Sequence, residues 1–271
     1  MSTEPRVEQT STSGVAGSIS VSTTTSVSGG TQSGVAVPSA VSDRARHPAT
    51  RFAGAPLDDI TRFFGHVAPW PTDDEGYINV HWTQVAARSE RPFWRGKPTN
   101  SVSEAVALVE RLLRLSRVRD VYFCLSRQRA YKLDQFGKVV AHRSKDNAIA
   151  LKSIWLDIDV KDPPKGYATV GEAAAALKSF YHAVGLPPPS AVVCSGGGLH
   201  VYWISQAPLT PDEWRPLAEC LKNAAIRHGL RCDAGCTTDR ARILRVPDTF
   251  NWKGGKKRPV KLLWLGECYE F

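Results

Sequence analysis

In Ile154-Trp155-Leu156-Asp157-Ile158-Asp159-Val160-Lys161, two acids alternate with branched apolar residues. The alternation predicts a β-strand, on which residues two apart share a face about 6.6–6.8 Å from one another. Asp157 and Asp159 therefore project together, and Leu156, Ile158 and Val160 turn toward the core. Two carboxylates held side by side raise each other's pKa unless a cation lies between them. Magnesium or manganese, which prefer oxygen ligands, suit that gap. A solvated acidic strand edge has the same pattern, so the pair acquires meaning only from what lies downstream.

Two further segments supply it. Cys194-Ser195-Gly196-Gly197-Gly198-Leu199-His200-Val201-Tyr202-Trp203 predicts a strand, a tight glycine turn and a returning strand. The glycines let a backbone approach a bulky anion with its N–H groups unobstructed, and Ser195 and His200 can donate to phosphate oxygens. The segment is not a Walker loop, because no Lys-Ser/Thr follows. The third segment, 232–253, offers Asp233 and Asp239, then Arg242, Arg245, Asn251 and Lys253. Arg242 precedes an Ile-Leu pair, as at a strand edge presenting a guanidinium to a pocket, and such forked donors match triphosphate oxygens.

Outward from these segments the chain reads as α+β. A short helix is expected from Leu57, a strand at Tyr77–Thr83, a helix capped by Ser101 with Glu104 three residues on, and a strand at Val121–Leu125. A helix over Val170–Val184 follows, then one from Pro211 to about His228 with Gly229 as its stop, then strands at Arg242–Val246 and Val260–Leu265. Helices among non-repeating strands predict a mixed or antiparallel sheet with flanking helices. Residues 1–50 are rich in Ser, Thr and Gly with few large apolar groups, the composition of a disordered tail, and residues 51–271 form the folded domain.

The chain of 271 residues is 42% hydrophobic and carries a formal charge of +9. The tail is balanced (Glu4, Glu8 and Asp43 against Arg6, Arg44 and Arg46), so the excess belongs to the body and favours a polyanionic partner. Arg127, Arg129, Lys132, Arg143 and Lys145 cluster before the acidic strand, where they can track a nucleic-acid backbone. Six scattered cysteines without a CxxC pair point to reduced thiols rather than a disulfide framework. His228, Cys232 and Cys236 have the spacing of zinc ligands on a helix, but Gly229 and Gly235 oppose a regular helix and no fourth ligand is near. No apolar run reaches the length of a membrane span and no signal peptide begins the chain, so the expectation is a cytoplasmic protein of a bacterial cell or phage-infected host, with no membrane partner.

The ordered set of 155–161, 195–203 and 240–253 resembles the three motifs of the archaeo-eukaryotic primase superfamily, in particular the primase-polymerases of phages, plasmids and mobile elements. The likeness covers about residues 150–265. It implies an archaeo-eukaryotic primase-like catalytic domain, a template-dependent nucleotidyltransferase that makes or extends primers by two-metal phosphoryl transfer with Mg2+ or Mn2+. It implies that Asp157 and Asp159 bind metal, with Asp233 as the third acid and Asp239 as the alternative. Ser195, Gly197, His200, Arg242, Arg245, Asn251 and Lys253 are then expected to bind nucleotide. The implied partners are a single-stranded DNA template and nucleoside triphosphates, with any replicative helicase on a separate polypeptide. Asp248 departs from the pattern, which has glycine there, and adds an acid near the expected phosphate site. The same acids would also serve a two-metal nuclease, and a catalytically silent replication-associated nucleic-acid-binding protein could keep the same fold.

Overall fold

Apolar alternation becomes strand and capped apolar stripes become helix along most of the chain. The computed structural model describes residues 56–271 apart from residues 74 and 88; the tail expected over residues 1–50 lies outside the described residues. The elements run α1 (Pro56–Val67), β1 (Tyr77–Ala86), β2 (Ser89–Thr99), α2 (Val102–Leu113), β3 (Val118–Gln128), β4 (Lys132–Leu133), β5 (Val139–Val140) and β6 (Ala148–Asp159). They continue with α3 (Val170–Ala183), β7 (Ala191–Cys194), β8 (Gly198–Leu209), α4 (Pro211–Arg227), α5 (Ala234–Thr237), β9 (Ile243–Arg245), β10 (Phe250–Asn251), β11 (Arg258–Pro259) and β12 (Lys261–Leu265).

An eight-stranded sheet in the order β12-β7-β8-β6-β3-β1-β2, with β9 also on β3, forms the body, and its ladders are antiparallel. This is the expected α+β class. The expected boundary residues are in place: Ser101 accepts from the Glu104 N–H, Pro211 opens α4, and Gly229 takes a left-handed φ of 67° after it; the reciprocal capping box of Thr210 and Glu213 was not expected. The strand β2 was not expected, because Pro92 and Pro98 break its pattern. It lies at the sheet edge, where a missing N–H costs no ladder bond.

The core places the site. Leu156 and Ile158 are wholly buried, while Val160, just past the strand end, is half-buried, packing against the core and also lining the cavity described below. Trp155 is buried as well, stacked on Trp214 of α4 with ring centroids 5.1 Å apart. The Trp214 indole donates to the Ser153 carbonyl, tying α4 to β6. Phe63 and Phe64 of α1 pack edge-on against Phe123, each at 5.5 Å. The pairing of β3 with β6 covers Ser126–Gln128 and Ala148–Leu151, and the strands then part. Further along β3, β9 pairs with Tyr122–Cys124. That fork brings the arginine segment between the two strands and makes room for the site.

Candidate functional site

Segments far apart in the chain meet around a cavity of about 1050 Å³, at the upper end of the range for small-molecule sites. Its lining includes Asp157, Asp159, Ser195, Gly197, His200, Arg242, Arg245, Asn251 and Lys253.

Asp157 and Asp159 both line this cavity, and Asp233 lies beside Asp157 without lining it. Asp157 is the more buried of the strand pair. Burial first, then the neighbouring Asp159, pushes its carboxyl above the usual carboxylate range, with Arg242 acting in the opposite sense. Asp159 accepts from the Lys161 ammonium. Asp233 reaches the pair because its backbone N–H donates to the Asp157 carbonyl at 2.8 Å. Its Oδ1 caps the short α5 by accepting from Gly235 and Cys236, which leaves Oδ2 toward the site. Arg242 closes the group, donating from Nη2 to Asp157 Oδ2 at 3.2 Å and to Asp233 Oδ2 at 3.3 Å.

Between the two candidate third acids, Asp233 is the one beside Asp157. Asp239 Oδ1 accepts from the Ala241 N–H and shapes the turn before β9. Ligand atoms of Asp157, Asp233 and Cys236 lie within 4.8 Å of one another. His228 is not in that group; it caps α4 with its ring 6.3 Å from that of Phe180, so the helical His-Cys-Cys spacing does not gather a metal set.

The glycine turn stands opposite. Gly198 has φ 155°, and a Cβ there would lie 2.1 Å from the Ile158 carbonyl oxygen, so only glycine lets β8 pass so close to β6. Gly196 has φ 72°, and the Gly197 carbonyl accepts from the Val160 N–H. Asn251 donates to the Ser195 carbonyl at 2.8 Å and accepts from the Lys253 N–H, so it braces the turn. Directly across β6 from Asp157 sits His200, 2% exposed. Burial first, then Arg245 and Arg242, holds its pKa down to about 3. The imidazole is therefore neutral near pH 7, and the 3.9 Å approach of its Nε2 to Asp157 Oδ1 is not an ion pair.

Arg245 is anchored rather than offered. Its Nε and Nη2 both donate to Asp120 Oδ1 at 3.1 Å, Nη2 donates also to the Tyr122 hydroxyl, and the guanidinium lies over the Tyr122 ring. Asp120 in turn accepts from Thr83 and from the Trp252 N–H. Arg119, Asp120, Tyr122, Trp252 and Arg258 line the cavity and were not anticipated. Asp120 and Tyr122 alternate as polar positions within the apolar strand 118–125, and that was the available signal. The cluster Arg127, Arg129, Lys132, Arg143 and Lys145 is absent from the lining. Arg143 donates to the Ala241 carbonyl, bracing the turn before β9.

Asp248 has φ 58°, the left-handed conformation that explains why glycine suits this position. Its half-buried carboxyl, raised in pKa by burial and then by Asp59 of α1, does not line the cavity. The added acid thus lies outside the cavity lining.

The geometry defines an α+β domain whose cavity sets carboxylates beside guanidinium, ammonium and imidazole donors, a combination suited to holding a cation and a polyanion together. Among solved structures the chain is similar to the archaeo-eukaryotic primase domain of the primase-polymerase from cyanophage S-2L, at TM-score 0.47 and 16% identity over 79% of this chain and 92% of that one. It is also similar to the polymerase domain of ligase D from Mycobacterium tuberculosis in complex with DNA, at TM-score 0.37 and 14% identity over 76% of this chain and 79% of that one. No protein-family model and no curated protein matches the chain. No helix among the described residues is long and apolar enough to cross a membrane.

Proposed function

We propose that residues 51–271 are a nucleotidyltransferase domain of the archaeo-eukaryotic primase type, which makes or extends primers on a single-stranded DNA template from nucleoside triphosphates. The observation that carries this reading is Asp157, with Asp159 and Asp233 as its acidic neighbours and Arg242 bridging it to Asp233, across the β6–β8 ladder from His200. A nuclease uses such acids but needs no cradle for a triphosphate.

The donor set suits Mg2+ or Mn2+. Three carboxylates supply hard oxygen ligands, and Asp157, whose ionised form is disfavoured by burial and by Asp159, gains most from a cation. Bound there, such cations supply activation of a primer hydroxyl and neutralisation of the triphosphate. The chain's own groups do the rest. Arg242 and Lys253 bind phosphate oxygens, and neutral His200 donates one N–H without adding charge beside Asp157. Asn251 holds the Ser195 carbonyl and hence the turn. Arg245, gripped by Asp120, is a positioning residue that fixes β9 on β3 and so the starting point of Arg242. Most of the rate enhancement comes from placing and neutralising the triphosphate.

Primer extension with labelled primer–template and either cation tests this. Asp157→Asn is expected to lower nucleotide incorporation by more than about 100-fold, beyond what loss of a mere supporting contact to a metal ligand costs, with template binding retained. Wild-type protein that degrades labelled DNA without nucleotides and adds none would replace the polymerase reading with a nuclease.

A further inference from the structure

The acidic centre contains one donor that oxygen-preferring cations do not need. Cys236, 0% exposed, shares with Asp157 and Asp233 a set of ligand atoms within 4.8 Å of one another. Backbone contacts hold the residue there: Asp233 accepts from its N–H at 3.1 Å, and the Trp155 indole donates to its carbonyl at 2.9 Å. A second, separate sign is His200. Its ring is buried in the same wall, its Nδ1 has no hydrogen-bond partner among the described residues, and its Nε2 points to Asp157 Oδ1 at 3.9 Å. Sulfur with carboxylate oxygens, and a neutral imidazole next to one of those carboxylates but outside the close set, suit a borderline-soft ion such as zinc(II) or cobalt(II), whereas magnesium gains nothing from sulfur.

We infer that Cys236 makes the Asp157–Asp233 pair a site for a thiophilic divalent cation, held by one thiolate and two carboxylate oxygens with His200 beside them. The inference rests on the proposed reading of these acids as a cation site and adds a specificity to it. On binding, the Cys236 S–H bond gives its proton to solvent and a sulfur–metal bond forms. The two Arg242 bonds to Asp157 and Asp233 are exchanged for metal–oxygen bonds, which frees the guanidinium toward the cavity. Donor atoms around a tetrahedral zinc with bonds of about 2.0–2.3 Å stand roughly 3.5 Å apart, so the set, within 4.8 Å, needs to close by about 1.3 Å at most. Such an ion occupies the carboxylates a catalytic magnesium needs, and zinc is then a competitive inhibitor with respect to magnesium.

Cobalt(II) titration of the full chain, followed by absorption, tests the sulfur directly, because a thiolate ligand gives cobalt an intense near-ultraviolet charge-transfer band. The expected result is a band saturating at one equivalent, abolished by zinc and by Cys236→Ser, retained in Cys232→Ser, and requiring at least 10-fold more cobalt in Asp233→Asn. If Cys236→Ser does not fold, the retained band in Cys232→Ser and the weakened one in Asp233→Asn make the assignment. Manganese binding, read by electron paramagnetic resonance, separates the two levels. Manganese and cobalt bound without the band, or a band lost in Cys232→Ser instead, overturn the thiolate and leave the acidic centre standing. No binding of either ion overturns both.

Discussion

Arg242 occupies the place of a cation. Its guanidinium bridges Asp157 and Asp233, and it also belongs to the set proposed to bind triphosphate. It cannot do both at full strength. On the proposed reading, a divalent ion between the acids would release it toward phosphate and phosphate would draw it away from the acids, so cation and nucleotide would assist one another, with coupling typically about 5–150-fold. Arg242→Ala is therefore expected to tighten manganese binding in the absence of nucleotide by roughly 5-fold or more, while raising the KM for nucleotide. Calorimetric titration with manganese checks the first part, and weaker binding in the variant would show that the guanidinium does not compete for the acids. The direction of Arg242 was legible from the apolar pair after it. Its acidic partners were not, because Asp157 lies 85 residues away and sequence order carries no distance. Asp120 was missed for a related reason: a single acid on a strand has no meaning until the arginine it grips, 125 residues later, is placed beside it.

At the scale of elements, the crossing of β8 over the end of β6 depends on one position. A methyl group at residue 198 would meet the Ile158 carbonyl at 2.1 Å, and the backbone there has φ 155°. Gly198→Ala is expected to destabilise the fold by about 2 kcal/mol or more, through strain at a backbone site that cannot relax. Urea unfolding measures it, and a loss below about 0.5 kcal/mol, the ordinary scatter of surface substitutions, would mean the two strands can separate without cost. The glycines themselves were legible as a turn, and so were α1 to α4, where boundary residues such as Ser101, Pro211 and Gly229 act locally, but the short α5 was not. The edge strand β2 was not legible, since Pro92 and Pro98 read as breakers unless the edge position is known. The fork between β3 and β6 was equally hidden, because strand pairing is a long-range property.

For the molecule as a whole, the buried His200 and the half-buried His81 set its behaviour in acid. Burial first, then Arg143, pushes His81 down to about 4, and His200 is held to about 3. The unfolded chain takes up protons on both near pH 6.5, where the native state does not. Their contribution to stability is therefore complete above about pH 6.5 and declines as the pH falls toward the native values. Asp157 acts in the opposite sense, since its raised native pKa makes its ionised form a cost above the usual carboxylate range. The expected outcome is a Tm that falls steadily from pH 7 to pH 4.5, with a shallower slope in His81→Gln. A flat profile would mean that both rings are accessible to protons in the native state. One more consequence follows from the fork in the sheet. The cavity wall combines β3 residues near position 120 with the segment reaching position 258. A growing chain on the ribosome therefore has no complete wall until that last segment has emerged. Fragments released earlier in translation would carry the paired acids but not the far side of the cavity wall.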